Sequence, residues 1–216
     1  MTRAGTLVQN LSGDAAYWSF RPAPLPLEPE LKIDDEMRRL LIETSRQLTN
    51  LARFSLLIPS TDRFSSMYMR KEALLSSQIE GTPCTLEDIL DPELNATVNP
   101  DVGEVINYVK ATQFALEQMR TLPLCNQLLR ETHAVLMTGV RGEKKNPGEF
   151  RRSQNWIGAA GCSLKDARYI PPNVEDMTTA LNELEQYIHE DSPYPPLIDA
   201  ALIHYQFETI HPFPDG

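Results

Sequence analysis

An apolar run from Leu197 to Ile210, closed by a proline two residues past its end, constrains this chain more than any other feature. The periodic apolar positions predict a core helix. Pro212 disfavours the α region for the residue before it, so the helix is expected to stop near Ile210 and leave the His211 imidazole at the mouth of a loop. Within the next residues that loop adds Asp215 and Gly216. An imidazole titrating near neutrality can take a proton from a hydroxyl, a carboxylate can hold one face of a magnesium ion, and a glycine lets backbone amides approach a phosphate. His211, Asp215 and Gly216 therefore form a candidate nucleotide-transfer site.

The rest of the chain reads as helical with one interruption. Residues 1 to about 30 carry Pro22, Pro24, Pro26 and Pro29, which predict an extended arm whose Tyr17, Trp18, Phe20 and Leu25 can tuck against the body. From Ile33 to about Leu57, Met37, Leu40, Leu41, Leu48, Leu51 and Phe54 recur at helical spacing and predict a core-facing helix. A second helix is expected from about Asp62 to Glu80, with Gly81 as its stop. Ser76 and Glu80 are four apart and share a face, so the hydroxyl can orient the carboxylate. An exposed glutamate near a helix end is the plain alternative, although a carboxylate in the last turn opposes the helix dipole and asks for a positive group opposite.

Thr85-Leu86-Glu87-Asp88 has the form of a capping box, and Asn99-Pro100-Asp101 opens a helix expected to reach Arg120. Another runs from about Leu124 to Val140; Val105, Ile106, Val109, Phe114, Leu128, Leu129, Val135 and Leu136 supply a bundle core, with His133 read as a structural or surface residue and not a ligand. Between Asn146 and Pro172 the pattern changes to short apolar pieces, Trp156-Ile157 and Tyr169-Ile170, around a Gly- and Lys-containing middle. This predicts a β-hairpin, with an irregular loop as the alternative. A helix from about Val174 to Glu190 is acidic on one face and apolar on the other. His204 precedes His211 by seven residues, a spacing that implies no zinc pair.

A chain of 216 residues suits one domain with an appended segment, or two small ones. The net charge of −10 disfavours a sequence-independent grip on nucleic acid. A polyanionic nucleotide needs a locally positive site, and Arg141, Lys144, Lys145, Arg151 and Arg152 are the best concentration; a solvated loop explains them equally well. Cys84, Cys125 and Cys162 are odd in number and far apart, which points to a reducing cytoplasm. No charged start followed by an apolar stretch is present, and no apolar run approaches the ~18 residues of a spanning helix, so neither secretion nor membrane insertion is expected.

Three stretches resemble the Fic family in the family's own order. His211-Pro212-Phe213-Pro214-Asp215-Gly216, with the helix before it, is similar to the start of the signature HPFx(D/E)GN(G/K)R. Ser76-Ser77-Gln78-Ile79-Glu80-Gly81 resembles the inhibitory motif (S/T)xxxE(G/N), and Gly148 to Gly158 resembles the segment entering the flap. The resemblance implies an all-α fold, a Fic-type helical bundle with one β-hairpin flap. It assigns residues 1–95 to the N-terminal arm and the segment with the inhibitory helix, and 96–216 to a Fic domain truncated at its catalytic loop.

The implied reaction moves AMP from ATP to a Tyr, Thr or Ser hydroxyl of a target protein. His211 would be the general base, Asp215 the ligand of Mg2+, Phe213 the anchor of the loop and Gly216 the start of the phosphate-binding turn. Glu80 would pair with an arginine that otherwise receives the γ-phosphate, since a guanidinium fork accepts carboxylate and phosphate alike. Ile157, Gly158, Tyr169 and Ile170 would line the flap and dock the target segment by strand addition. The 216 residues end before the motif's Asn, Gly or Lys, and Arg, and negligible transfer is expected from them alone. A non-catalytic member acting by protein contacts and an enzyme that removes AMP are the alternatives; the resemblance also admits a homodimer.

Overall fold

Caps and prolines set most helix boundaries where the sequence places them. The computed structural model describes residues 4–58, 61–79, 84–90, 100–140 and 144–214. Among these residues the architecture is seven α-helices and one two-stranded antiparallel hairpin, the all-α class expected. The chain divides into two compact units: Met1–Lys32 with Leu124–Asn126 and Glu149–Gly216, and Ile33–Pro123 with Gln127–Gly148.

The second of these units holds α1 (Asp35–Ser55), α2 (Thr61–Ile79), α3 (Leu86–Leu90), α4 (Pro100–Gln118) and most of α5 (Asn126–Leu136). Its core joins α2, α3 and α4 through Ala73, Leu74, Cys84, Ile89, Val102, Val105 and Val109. The capping box before α3 forms as read: Thr85 N–H donates to Asp88 Oδ2 at 2.9 Å, and Asp88 N–H returns to Thr85 Oγ1 at 3.3 Å. Asn107 reaches from α4 to the end of α5, its Nδ2 donating to the carbonyls of Leu136 and Thr138 at 3.1 and 2.6 Å. His133 is buried, and its Nδ1 accepts the Gly148 N–H at 2.9 Å, a structural role. Gly148 itself has φ +80°, and a Cβ there would stand 3.0 Å from the Arg130 carbonyl, so the turn requires glycine.

One expectation in this unit fails. Helix α1 forms, with Asp34 capping the Met37 N–H at 2.8 Å and Arg38 and Arg46 paired to Asp35 and Glu43 one turn back. Its apolar stripe is not a core face, because no residue of α1 is buried and Leu51 and Phe54 are 58% and 63% exposed. Periodicity shows that a helix has an apolar face, whereas covering that face takes a partner remote in sequence.

The first unit is built on α6 (Val174–His189) and α7 (Pro196–Ile210), with β1 (Gly5–Asn10) paired to β2 (Tyr17–Pro22). Met177, Ala180, Leu181 and Leu184 of α6 meet Ile210 at the end of α7, flanked by Leu25, Phe150, Ile203 and Phe207. Asn173 caps α6 by accepting the Asp176 N–H at 2.9 Å. Near the start of α7, Asp199 accepts the hydroxyls of Tyr187 and Ser192, and burial with that carboxylate pushes the Tyr187 phenol up to about 12. The N-terminal arm is thus a hairpin, not merely extended chain. Its prolines do not prevent this, since Pro22 sits at the last position of β2, where a missing donor is tolerated.

Candidate active site

Helix α7 ends at Ile210 as Pro212 dictates, but the residue between them takes a conformation the sequence does not announce. His211 has φ 47° and ψ 65°, the left-handed region, and its N–H donates to the Phe207 carbonyl at 3.0 Å. Pro212 excludes the right-handed helical region for its neighbour, and histidine is among the side chains that tolerate the left-handed one. A residue held there costs about 1 to 3 kcal/mol, which the surrounding contacts must offset.

Those contacts come from Phe150, Arg151 and Asn155. Phe213 is buried, with its ring centroid 5.2 Å from Phe150 and 6.4 Å from Phe207. Arg151 is only 4% exposed. Its N–H donates to the Pro212 carbonyl at 2.8 Å, its Nε to His211 at 3.0 Å and its Nη2 to Ile210 at 3.4 Å. Asn155 Nδ2 donates to the carbonyls of His211 and Phe213 at 3.4 and 3.2 Å. The four successive carbonyls from Ile210 to Phe213 are therefore all gathered by residues 151 and 155. The sequence reading missed both roles, and no local signal marks them, because the acceptors lie almost sixty residues downstream.

Of the basic cluster, Arg151 points its charge into the protein, Arg152 pairs with Glu149 at 2.8 Å, and Lys144 and Lys145 are exposed. Arg141 lies outside the described residues. Burial draws the Arg151 guanidinium down to about 10, which leaves it charged at neutral pH. Burial lowers the pKa of His211, as does the charge of Arg151, while Glu208 acts in the opposite direction. The imidazole is thus biased toward its neutral form, the form that accepts a proton.

The predicted hairpin over 155–171 is reduced to a single antiparallel bridge between Ile157 and Tyr169. Ile157 N–H donates to Tyr169 O at 2.9 Å, and Ile157 O accepts from Arg168 and Tyr169 at 2.8 and 3.1 Å. Beyond it the chain turns through a short 3-10 segment, Leu164–Asp166. A Cβ at Gly158 would lie 2.4 Å from Cys162 Sγ, so a side chain there requires that thiol to shift. Tyr169 donates its hydroxyl to Thr209 O at 2.7 Å, tying the bridge to the last turn of α7; burial raises its pKa. On the other side Ile170 O accepts the Phe20 N–H at 2.9 Å, and Tyr17 donates to Gln154 Oε1 at 3.1 Å. The N-terminal hairpin thus braces this segment.

Ser76 is engaged one turn back along its own helix. Its hydroxyl donates to Glu72 Oε1 at 2.8 Å, an oxygen that Tyr108 also reaches at 3.0 Å. One hydroxyl has one proton to give, and Glu72, a turn earlier on the same face, receives it. Glu80, Gly81, Asp215 and Gly216 lie outside the described residues. Among the described residues no three His, Cys, Asp or Glu side chains gather as a metal site, and no helix is long and apolar enough to cross a membrane.

Two family models match, the Fic/DOC family N-terminal model over residues 38–117 and the Fic/DOC family model over residues 123–216. The chain belongs to the Fic/DOC family. Among curated relatives of this Fic chain, the protein adenylyltransferase Fic of Aedes aegypti is 34% identical over 71 residues, which is 32% of this chain and 12% of that protein. The protein of the same name from Drosophila melanogaster is 35% identical over 71 residues, 32% of this chain and 13% of that one. The matched stretch therefore spans about an eighth of those relatives. A crystal structure of a Fic family protein from Desulfovibrio desulfuricans superimposes with a TM-score of 0.63 at 22% identity, covering 86% of this chain and 55% of that one, and shows the shared fold.

Proposed function

We propose that this Fic chain carries the base-bearing part of a protein adenylyltransferase, which moves AMP from ATP to a hydroxyl of a target protein. The observation that carries the reading is His211, a partly buried imidazole biased toward neutrality and held by its backbone at the end of a core helix. Its neutral nitrogen would take the proton of the target hydroxyl as the oxygen attacks the α-phosphorus and pyrophosphate leaves. Magnesium suits the donor set, because this ion takes one or two carboxylates and completes its shell with phosphate and water. Asp215 would hold it, and the ion would offset charge on the phosphates. Gly216 would open the phosphate-binding turn.

The target would enter along the Ile157 edge, where Ile157 and Trp156 are each 41% exposed and the bridge to Tyr169 leaves a short stretch of extended backbone. Glu80 would act as the internal competitor for the phosphate-binding arginine of the motif. Support for that role is the sequence motif alone, since Ser76 is engaged with Glu72.

The test is label incorporation from ATP carrying a radioactive α-phosphate, with the chain continued through the motif's Asn, Gly or Lys, and Arg. Incorporation should fall by about 100-fold or more in His211→Ala, the scale of a lost general base. Equal incorporation by wild type and His211→Ala would remove His211 from the mechanism. Glu80→Gly should raise incorporation, and an unchanged rate would end the autoinhibitory reading.

A further inference from the structure

We propose that Arg151 is a positioning residue, a single buried cation that holds the His211 loop in register with both ends of the 153–172 segment. Besides the contacts to Ile210 and His211, its Nη1 donates to Ser153 O at 3.3 Å and its Nη2 to Pro172 O at 2.5 Å. The guanidinium therefore joins three separate stretches of backbone: the entry to the bridge segment, its exit, and the loop after α7. All four side-chain acceptors are carbonyl oxygens, and among the described residues no carboxylate pairs with it.

That choice of partners is informative. A buried arginine that only needed its charge offset would take a carboxylate, which compensates the lost hydration better than carbonyl dipoles do. Arg151 instead uses the planar, rigid spread of its N–H groups, which fixes the acceptors relative to one another. The left-handed His211 needs such fixing, since nothing in its own backbone preference keeps it there. The same geometry ties the loop that bears the imidazole to both ends of the segment that holds the Ile157 edge. The charged groups that bear on His211 are Arg151 and Glu208, with opposite effects, and the titratable neighbours of Arg151 are the Tyr169 and Tyr17 phenols.

The inference rests on His211 as the base, and two independent readouts separate its failure from failure of that reading. In the motif-complete chain, Arg151→Lys keeps the charge but cannot span the three stretches. It should lower kcat by about 100-fold with the KM for ATP little changed, the signature of a misplaced base. The second readout needs no catalysis. The His211 ring proton resonance, assigned by its loss in His211→Gln, should change position in Arg151→Lys while its titration midpoint holds, and the midpoint should rise in Arg151→Met, where the charge is gone. A wild type without transfer but with these spectral changes would sink the adenylyltransferase reading and leave the positioning role intact. Wild-type kcat in a folded Arg151→Lys, or a His211 resonance and midpoint indifferent to both substitutions, would overturn the proposal. Where either variant fails to melt cooperatively, Asn155→Ala carries the test through the His211 carbonyl it shares. It should lower kcat without moving the midpoint, and unaltered kcat there would also overturn it.

Discussion

His211 combines a left-handed backbone, partial burial and a nearby buried cation, and each has a measurable consequence. Because its folded pKa lies below the ordinary value of about 6.5, the unfolded chain binds more protons than the folded one as pH falls through that range. The contribution of neutral His211 to stability is therefore complete above about pH 6.5 and is lost on acidification below it. Urea melts of wild type and His211→Gln from pH 8 to pH 5 should diverge only at the acid end. The acid limb of transfer should likewise lie below the ordinary histidine value. At Tyr169 the hydroxyl satisfies a carbonyl of the last turn of α7, one of the four that the helix itself leaves open. Tyr169→Phe should cost about 1 kcal/mol in a denaturant titration. Gly158→Ala should cost about 1 to 3 kcal/mol by overpacking against Cys162, and most of that should return in the double variant with Cys162→Ala, whose missing sulfur removes the clash.

Helices α1 and α6 have similar amphipathic sequences and opposite fates. Leu181 of α6 is buried against α7, whereas Leu51 of α1 is exposed. Leu181→Ala should cost about 2 to 5 kcal/mol, and Leu51→Ala within about 0.5 kcal/mol, by equilibrium unfolding. Equal losses would mean that α1 is covered in solution. The apolar periodicity was legible in both helices because it depends on residues three and four apart. Which stripe finds a partner depends on residues far along the chain. The bridge segment makes the same point for strands: Trp156-Ile157 and Tyr169-Ile170 were readable as extended, but ladder length depends on how the chain returns, and here one pair forms.

Across the molecule, the net charge of −10 disfavours a sequence-independent grip on nucleic acid, and no binding to a labelled duplex is expected at physiological salt in an anisotropy titration. Short-range rules within the sequence determined the all-α class, the cap of α3, the stop at Ile210 and the family motif around His211, because helix periodicity, capping and proline exclusion act over a few residues. Only the tertiary structure decided that Arg151 turns inward, that the N-terminal arm pairs as β1 and β2, that α1 lies uncovered and that His211 adopts the left-handed region. Each of these depends on an acceptor, a strand or an apolar surface supplied by distant residues, and burial turns such a meeting into free energy only once the chain has brought the two together.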